Sequence, residues 1–149
     1  HPIGNFKRIG RFAGRKLNSL LTPPLVHVRS HELEDDAALV GRGIAALGSQ
    51  VERLLVNYQK EIVDRQYQLG RIADAATELY VSSCVLNRMD AELRHSYDDD
   101  AEIRWRLQVG RYFLRTSAAR VNRALAELWD NNDAATTELA DAMLKRGRI

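Results

Sequence analysis

The chain has 149 residues, a single cysteine and a formal net charge of +2. That length suits one domain able to bury a core, and the lone cysteine excludes an internal disulfide framework and is compatible with a reducing, intracellular setting. No apolar run approaches the roughly 20 residues that a bilayer-spanning helix needs.

The charge is unevenly divided. Residues 1–31 carry Lys7, Arg8, Arg11, Arg15, Lys16 and Arg29 and no acid, whereas the remainder has 16 basic against 20 acidic residues. Two segments with different electrostatic roles are therefore expected: a basic segment with its linker over 1–31, and a folded domain over 32–149. The chain opens on His1 rather than Met, so a piece of a longer or processed chain is expected, and no signal-peptide pattern is visible.

In the first segment Phe6, Ile9, Ala13, Leu17, Leu20 and Leu21 fall within an arc of about 120° on a helical wheel, with Arg8, Arg11 and Arg15 opposite. Only Phe12 lies on the wrong side. Gly4, Gly10 and Gly14 make it a poor helix in water, and the TPPL sequence that follows breaks it. An apolar arc against a basic arc fits a helix lying at a headgroup boundary, with cations on anionic lipid. Docking on a protein surface is the competing reading. Nucleic acid ranks below both, because no recognised binding motif surrounds the cluster and the rest of the chain is acidic. The lipid or partner surface is assigned to Phe6, Lys7, Arg8, Ile9, Arg11, Arg15, Lys16, Leu17 and Leu20.

From residue 33 onward the apolar spacing is helical throughout. Leu33, Ala37, Val40, Ile44, Leu47, Val51, Leu54 and Tyr58 alternate steps of four and three, the seam of a helix packed lengthwise on others. Acids at 32 and 34–36 crowd its start, where the helix dipole favours them. A second helix is predicted from about Ile62 to Arg94, with a seam through Leu69, Ile72, Ala76, Leu79, Ser83, Leu86 and Leu93. Ala73, Tyr80 and Cys84 widen its apolar surface, which predicts contacts on several sides and a central position. A third runs from about Asp100 to Trp129 through Ile103, Leu107, Gly110, Leu114, Ser117, Val121, Ala124 and Leu128. The DNND sequence stops it and caps a short fourth helix that uses Leu139, Ala142 and Met143. No segment sustains strand alternation. The fold class is all-α, an up-and-down four-helix bundle preceded by the basic amphipathic segment.

Chemistry is sparse. His27 and His31 sit four apart but before the helix, so a solvated linker is favoured over a metal site. Cys84 lacks a neighbouring base and reads as a small buried hydrophobe. GRGIAA, residues 41–46, fits a dinucleotide fingerprint in letters only, since the residues before it are helical in pattern rather than a strand. Asp74 and Glu78 face one side of the second helix, with Arg71 placed to pair with Asp74 and Arg115, Arg120 and Arg123 as cross-helix partners. Paired carboxylates can perform acid/base work, but without a suggested cleft Arg71, Asp74 and Glu78 are read as structural ion pairs. No catalytic, cofactor-binding or metal residue is assigned.

Residues 60–80, KEIVDRQYQLGRIADAATELY, resemble a characteristic helix of the acyl-CoA dehydrogenases. Together with Pro2, Gly4 and Asn5 and the linker residues Leu25, Val26 and His27, they make nearly the whole chain similar to the extra C-terminal region of the very-long-chain type. That resemblance implies a degenerate second copy of the family's helical C-terminal domain. The parent enzyme would use FAD to introduce a double bond between the α and β carbons of a long acyl-CoA, with its catalytic glutamate and its flavin and CoA contacts in a core upstream of Pro2. It further implies a homodimeric parent, no cofactor bound by this segment, and attachment of the basic segment to an anionic inner-membrane surface. The setting would be cytoplasmic and peripheral in a bacterium, or the matrix side of the mitochondrial inner membrane in a eukaryote. Two other readings stay open: a protein-interaction module, as in the dehydrogenase paralogue that assists respiratory-complex assembly, and a freestanding enzyme, which would have to bind flavin or turn over alone.

Overall fold

The computed structural model describes residues 24–95 and 100–147, without the side chains of residues 95 and 100. Residues 1–23, which carry the predicted basic amphipathic helix, lie outside the described residues, as do residues 96–99.

A 3-10 turn at His31–Leu33 leads into α1, Glu34–Tyr58. A 3-10 stretch, Gln59–Asp64, separates it from α2, Gln66–His95. The third and fourth helices are α3, Asp100–Ala126, and α4, Asp133–Lys145. Gln59 stops α1 by adopting φ 47°, a left-handed conformation uncommon for a residue with a Cβ. The described residues are all-α, as the spacing predicts, and contain no strand.

Cross-helix contacts fix the directions. Asp36 meets Arg111, and Gln50 meets Trp129, so α1 and α3 run parallel. Ser82 meets Ser117 and Glu78 meets Arg120, so α2 runs antiparallel between them. The first three helices therefore follow in up-and-down order. The first three build the core; α4 contributes no buried residue and exposes Leu139, Met143 and Leu144.

That core has two halves. One gathers Leu33, Ala37, Val40, Leu86, Met89, Leu107 and Leu114, with Val26 and Val28 of the linker packed against it. The other gathers Leu54, Ala75, Leu79, Val121, Leu125 and Leu128, closed below by Tyr58, Ile62 and Trp129. Each fully buried leucine contributes roughly 1.5–3 kcal/mol through removal of apolar surface from water. At the lower end Trp129 donates its indole N–H to Gln50 Oε1 (2.7 Å), and the Arg53 guanidinium lies 4.1 Å from the centre of the tryptophan ring system.

The predicted seams of α1 and α3 face the core. That of α2 is turned by about one residue: Ala75, Leu79, Ser82, Leu86 and Met89 are buried, whereas Ala76 is exposed and Ser83 half-buried. Ala73, Tyr80 and Cys84 are also exposed, which corrects the expectation of a buried cysteine. The physical reason is that, among the described residues, α2 packs mainly on α1 and α3, which leaves the face bearing Ala73, Tyr80 and Cys84 to solvent.

The glycines of α1 differ in what they do for packing. The Pro24 carbonyl oxygen lies 2.5 Å from where a Cβ at Gly41 would stand, while nothing lies within 4 Å of that position at Gly48. Gly48→Ala is expected to raise stability by about 0.5–1 kcal/mol through helix propensity. Gly41→Ala is expected to lower it, because the linker backbone has to move. Thermal denaturation of the two variants should shift the midpoint in opposite directions.

Candidate functional site

The antiparallel packing of α2 on α3 brings the acids of the 60–80 stretch against the arginines of α3. Arg71, Asp74 and Glu78 from α2, Arg120 and Arg123 from α3, and Glu127 just beyond its end line an open groove of about 330 Å³. Glu78 is fully engaged there. Its Oε1 accepts from Arg120 Nε at 2.6 Å, and its Oε2 accepts from Arg120 Nη2 and from the Ser117 hydroxyl, both at 2.8 Å. The Arg120 hydrogen bonds hold the Glu78 carboxyl below its ordinary range, against partial burial and with help from Ser117. A carboxylate kept ionised by three donors is a poor proton acceptor at neutral pH.

Arg71 does not pair with Asp74. Its Nη1 and Nη2 donate to the two carboxylate oxygens of Asp133, each at 2.7 Å, and its Nε lies 3.9 Å from Glu127. The two-point fit of guanidinium to carboxylate favours Asp133; Asp74 is exposed, with no hydrogen bond or ion pair among the described residues. Hydrogen bonding to Arg71 lowers the Asp133 pKa and raises that of Arg71. The pair fastens the first residue of α4 to the start of α2. Arg115 and Arg123, the other predicted cross-helix partners, are exposed.

A second polar anchor holds the linker. Asp90 is buried on α2, where its Oδ1 accepts the backbone N–H groups of Arg29 (3.0 Å) and Ser30 (2.9 Å). Arg94 stands 3.5 Å from its other oxygen. Burial pushes this carboxyl up, but hydrogen bonding from Ser30 and Arg29 outweighs it and leaves the pKa lowered. The last residues before the bundle are thus clamped to it. The His31 side chain stays solvated, 3.8 Å from Glu34.

Neither Asp90 nor Asp133 was marked out by the spacing alone. For Asp90 a signal existed, an acid one position after Met89 on the apolar side of a helix. Asp133 stood within a sequence whose role as stop and cap already accounted for it.

A second groove, of about 300 Å³, opens between α1 and α3 and is floored by Leu79, Leu114 and Val121. Gly43 of the GRGIAA stretch lies on its wall, in mid-helix, where a Cβ would meet the Leu79 side chain at 2.7 Å. No residue from the first turn of a helix lines either groove, so the free amides that favour a pyrophosphate are not among their walls. No group of three or more His, Cys, Asp and Glu converges as a metal ion would require among the described residues, and no helix among them is long and apolar enough to cross a membrane.

This arrangement, long helices with their ionisable groups tied across helix boundaries, accompanies a family match. Residues 31–149 match the model described as ACAD9/ACADV, C-terminal domain. The chain belongs to this family. It is similar to the human very long-chain specific acyl-CoA dehydrogenase, mitochondrial, at 31% identity over 91 residues, 61% of this chain and 13% of the relative. The mouse protein of the same name is 31% identical and the bovine one 28% identical, each over 104 residues, 65% of this chain and 15% of the relative. The chain thus spans a small fraction of the length of the curated relatives it matches. The 60–80 motif belongs, then, to the C-terminal region of an acyl-CoA dehydrogenase of this type, and of its acids Glu78 sits in the helix-to-helix contact described above.

Two outcomes follow from these anchors. Arg71→Ala should release α4 from the bundle: hydrogen exchange over residues 133–145 is expected to accelerate while protection of α2 and α3 is kept. Glu78, Asp90 and Asp133 all sit below their ordinary pKa in the folded state, so the unfolded chain takes up protons first as pH falls. The stability they add is complete well above the unfolded carboxylate values of about 4 and is lost as pH drops through the lowered folded values. Asp90→Ala is expected to cost about 2 kcal/mol at neutral pH by stranding two amides and to flatten the acid limb of a denaturant-midpoint profile.

Proposed function

We propose that this chain is the non-catalytic C-terminal helical domain of an FAD-dependent acyl-CoA dehydrogenase, serving assembly and membrane docking. The observation that carries the non-catalytic reading is the engagement of Glu78 by Arg120 and Ser117. Of the acids in the family motif, the one facing the neighbouring helix works as a scaffold. The parent reaction would be α,β-dehydrogenation of a long-chain acyl-CoA. Its flavin, its base and its acyl-CoA contacts would belong to an upstream core, and the parent would be a homodimer.

Docking is assigned to Phe6, Lys7, Arg8, Ile9, Arg11, Arg15, Lys16, Leu17 and Leu20, whose apolar and basic arcs suit an anionic bilayer surface. The Asp90 clamp supports this role, since it ties Arg29 and Ser30, at the end of the linker, to the bundle. The setting would be an inner membrane, on the cytoplasmic face in a bacterium or the matrix face in a mitochondrion. A second reading, an interaction module of a dehydrogenase paralogue such as a respiratory-complex assembly factor, is favoured by the exposed Leu139, Met143 and Leu144 of α4.

Sedimentation with vesicles tests the docking. The chain should pellet with phosphatidylglycerol-containing vesicles and remain in solution with neutral phosphatidylcholine. Combined Arg8→Glu, Arg11→Glu and Arg15→Glu substitution should abolish pelleting. Unchanged sedimentation of that variant rejects membrane docking and leaves the interaction reading.

A further inference from the structure

The core is interrupted at its waist, and the interruption has a shape. The 300 Å³ groove takes Val40 and Leu114 from one half of the core and Leu79 and Val121 from the other. Its walls are lined by the small residues Ala46 on α1 and Ala118 on α3, while the absence of a Cβ at Gly43 admits the Leu79 side chain to the floor. Protein interiors pack at crystal density and keep few voids larger than a water molecule. An apolar space of this volume, open at one side, has the dimensions and lining of a small-ligand site, for which about 300 Å³ is the lower end of the usual range.

Two features define what would fill it. The floor offers no free polar group: the Ser82 hydroxyl donates to Ser117, and Ser117 donates to Glu78. The buried part of an occupant is therefore hydrocarbon. At the mouth stand Arg42 and Asn122, both exposed and neither with a hydrogen bond or ion pair among the described residues. No acid lines the groove. None occurs in α1 between Leu39 and Val51, or in α3 between Ile103 and Ala126. Asp36, the last acid before that stretch of α1, is already held by Arg111 at 3.0 Å. A cation with no acid partner among the described residues, beside an amide at the lip of an apolar slot, calls for an anionic head on an apolar tail.

We propose that the waist groove binds a small anionic amphiphile, its tail between Leu79 and Ala118 and its carboxylate, phosphate or sulfonate head on Arg42 and Asn122. At roughly 30 Å³ for each water-sized group, the space takes a tail of about ten carbons. The site is argued from none of residues 6–20, so it stands or falls apart from the docking reading.

Decanoate, titrated into the full chain and followed by amide chemical shifts, is the probe, with decyltrimethylammonium as the charge-inverted control. Decanoate should saturate and move the amides of Gly43, Ala46 and Ala118, with the cationic control at least 10-fold weaker. Ala118→Leu, which fills the slot, should weaken decanoate at least 10-fold; Ala46→Leu replaces it if that variant does not fold. Arg42→Glu, a surface change, should weaken decanoate and favour the cation, with an unchanged melting temperature. Equal binding of the two probes, or decanoate binding indifferent to the filled slot, overturns the proposal. A parallel arm with phosphatidylglycerol vesicles identifies the source: shifts at the groove with vesicles point to a lipid, and shifts with free decanoate alone to a soluble amphiphile.

Discussion

The bundle is organised around one chain of hydrogen bonds, Ser82 to Ser117 to Glu78 to Arg120. Ser82 and Ser117 are both buried, and a hydroxyl taken out of water without a partner is costly. The two serines must therefore meet, and only one register of α2 against α3 allows it. Ending the chain on a carboxylate and an arginine places charge at the rim, where solvent supports it. The same serines remove apolar volume from the middle of the core. The halves above and below close separately, and a slot is left between α1 and α3.

Charge on α3 follows from the same constraint. Between Ile103 and Ala126 the helix has six arginines and no acid, so on its own it would repel itself. Folding supplies acids from elsewhere: Asp36 of α1 to Arg111, Glu78 of α2 to Arg120, and Glu92 of α2, with the local Glu102, to Arg106. The exposed ones among them, such as Arg106 with Glu102, contribute little free energy. Their value lies in orientation, because a slipped register would bring arginine against arginine or leave the acids of α2 alone. The domain accordingly uses its ionisable side chains to specify helix partners, in keeping with the scaffold role proposed for it.

Much of this was legible in the spacing of apolar residues. The four helices, their order and the core-facing seams of α1 and α3 came directly from steps of three and four. For α2 the pattern was ambiguous, because apolar and small residues are spread round much of its surface. Two stripes one residue apart, through Ala76 and Ser83 or through Ala75 and Ser82, fit it almost equally. The charged cluster shows the same limit. Arg71 and Asp74 are neighbours along the helix, so local spacing pairs them, yet Asp133 offers Arg71 a two-point fit from 62 residues away.

The sequence by itself determined helix content, helix lengths and family membership, because periodicity and a long local motif are properties of neighbouring residues. Tertiary structure alone decided which face of α2 is buried, which carboxylate each arginine meets, that Cys84 is solvated, and that a slot remains at the waist. Those depend on the relative rotation and register of separate helices, and side chains settle these quantities only when they are brought together.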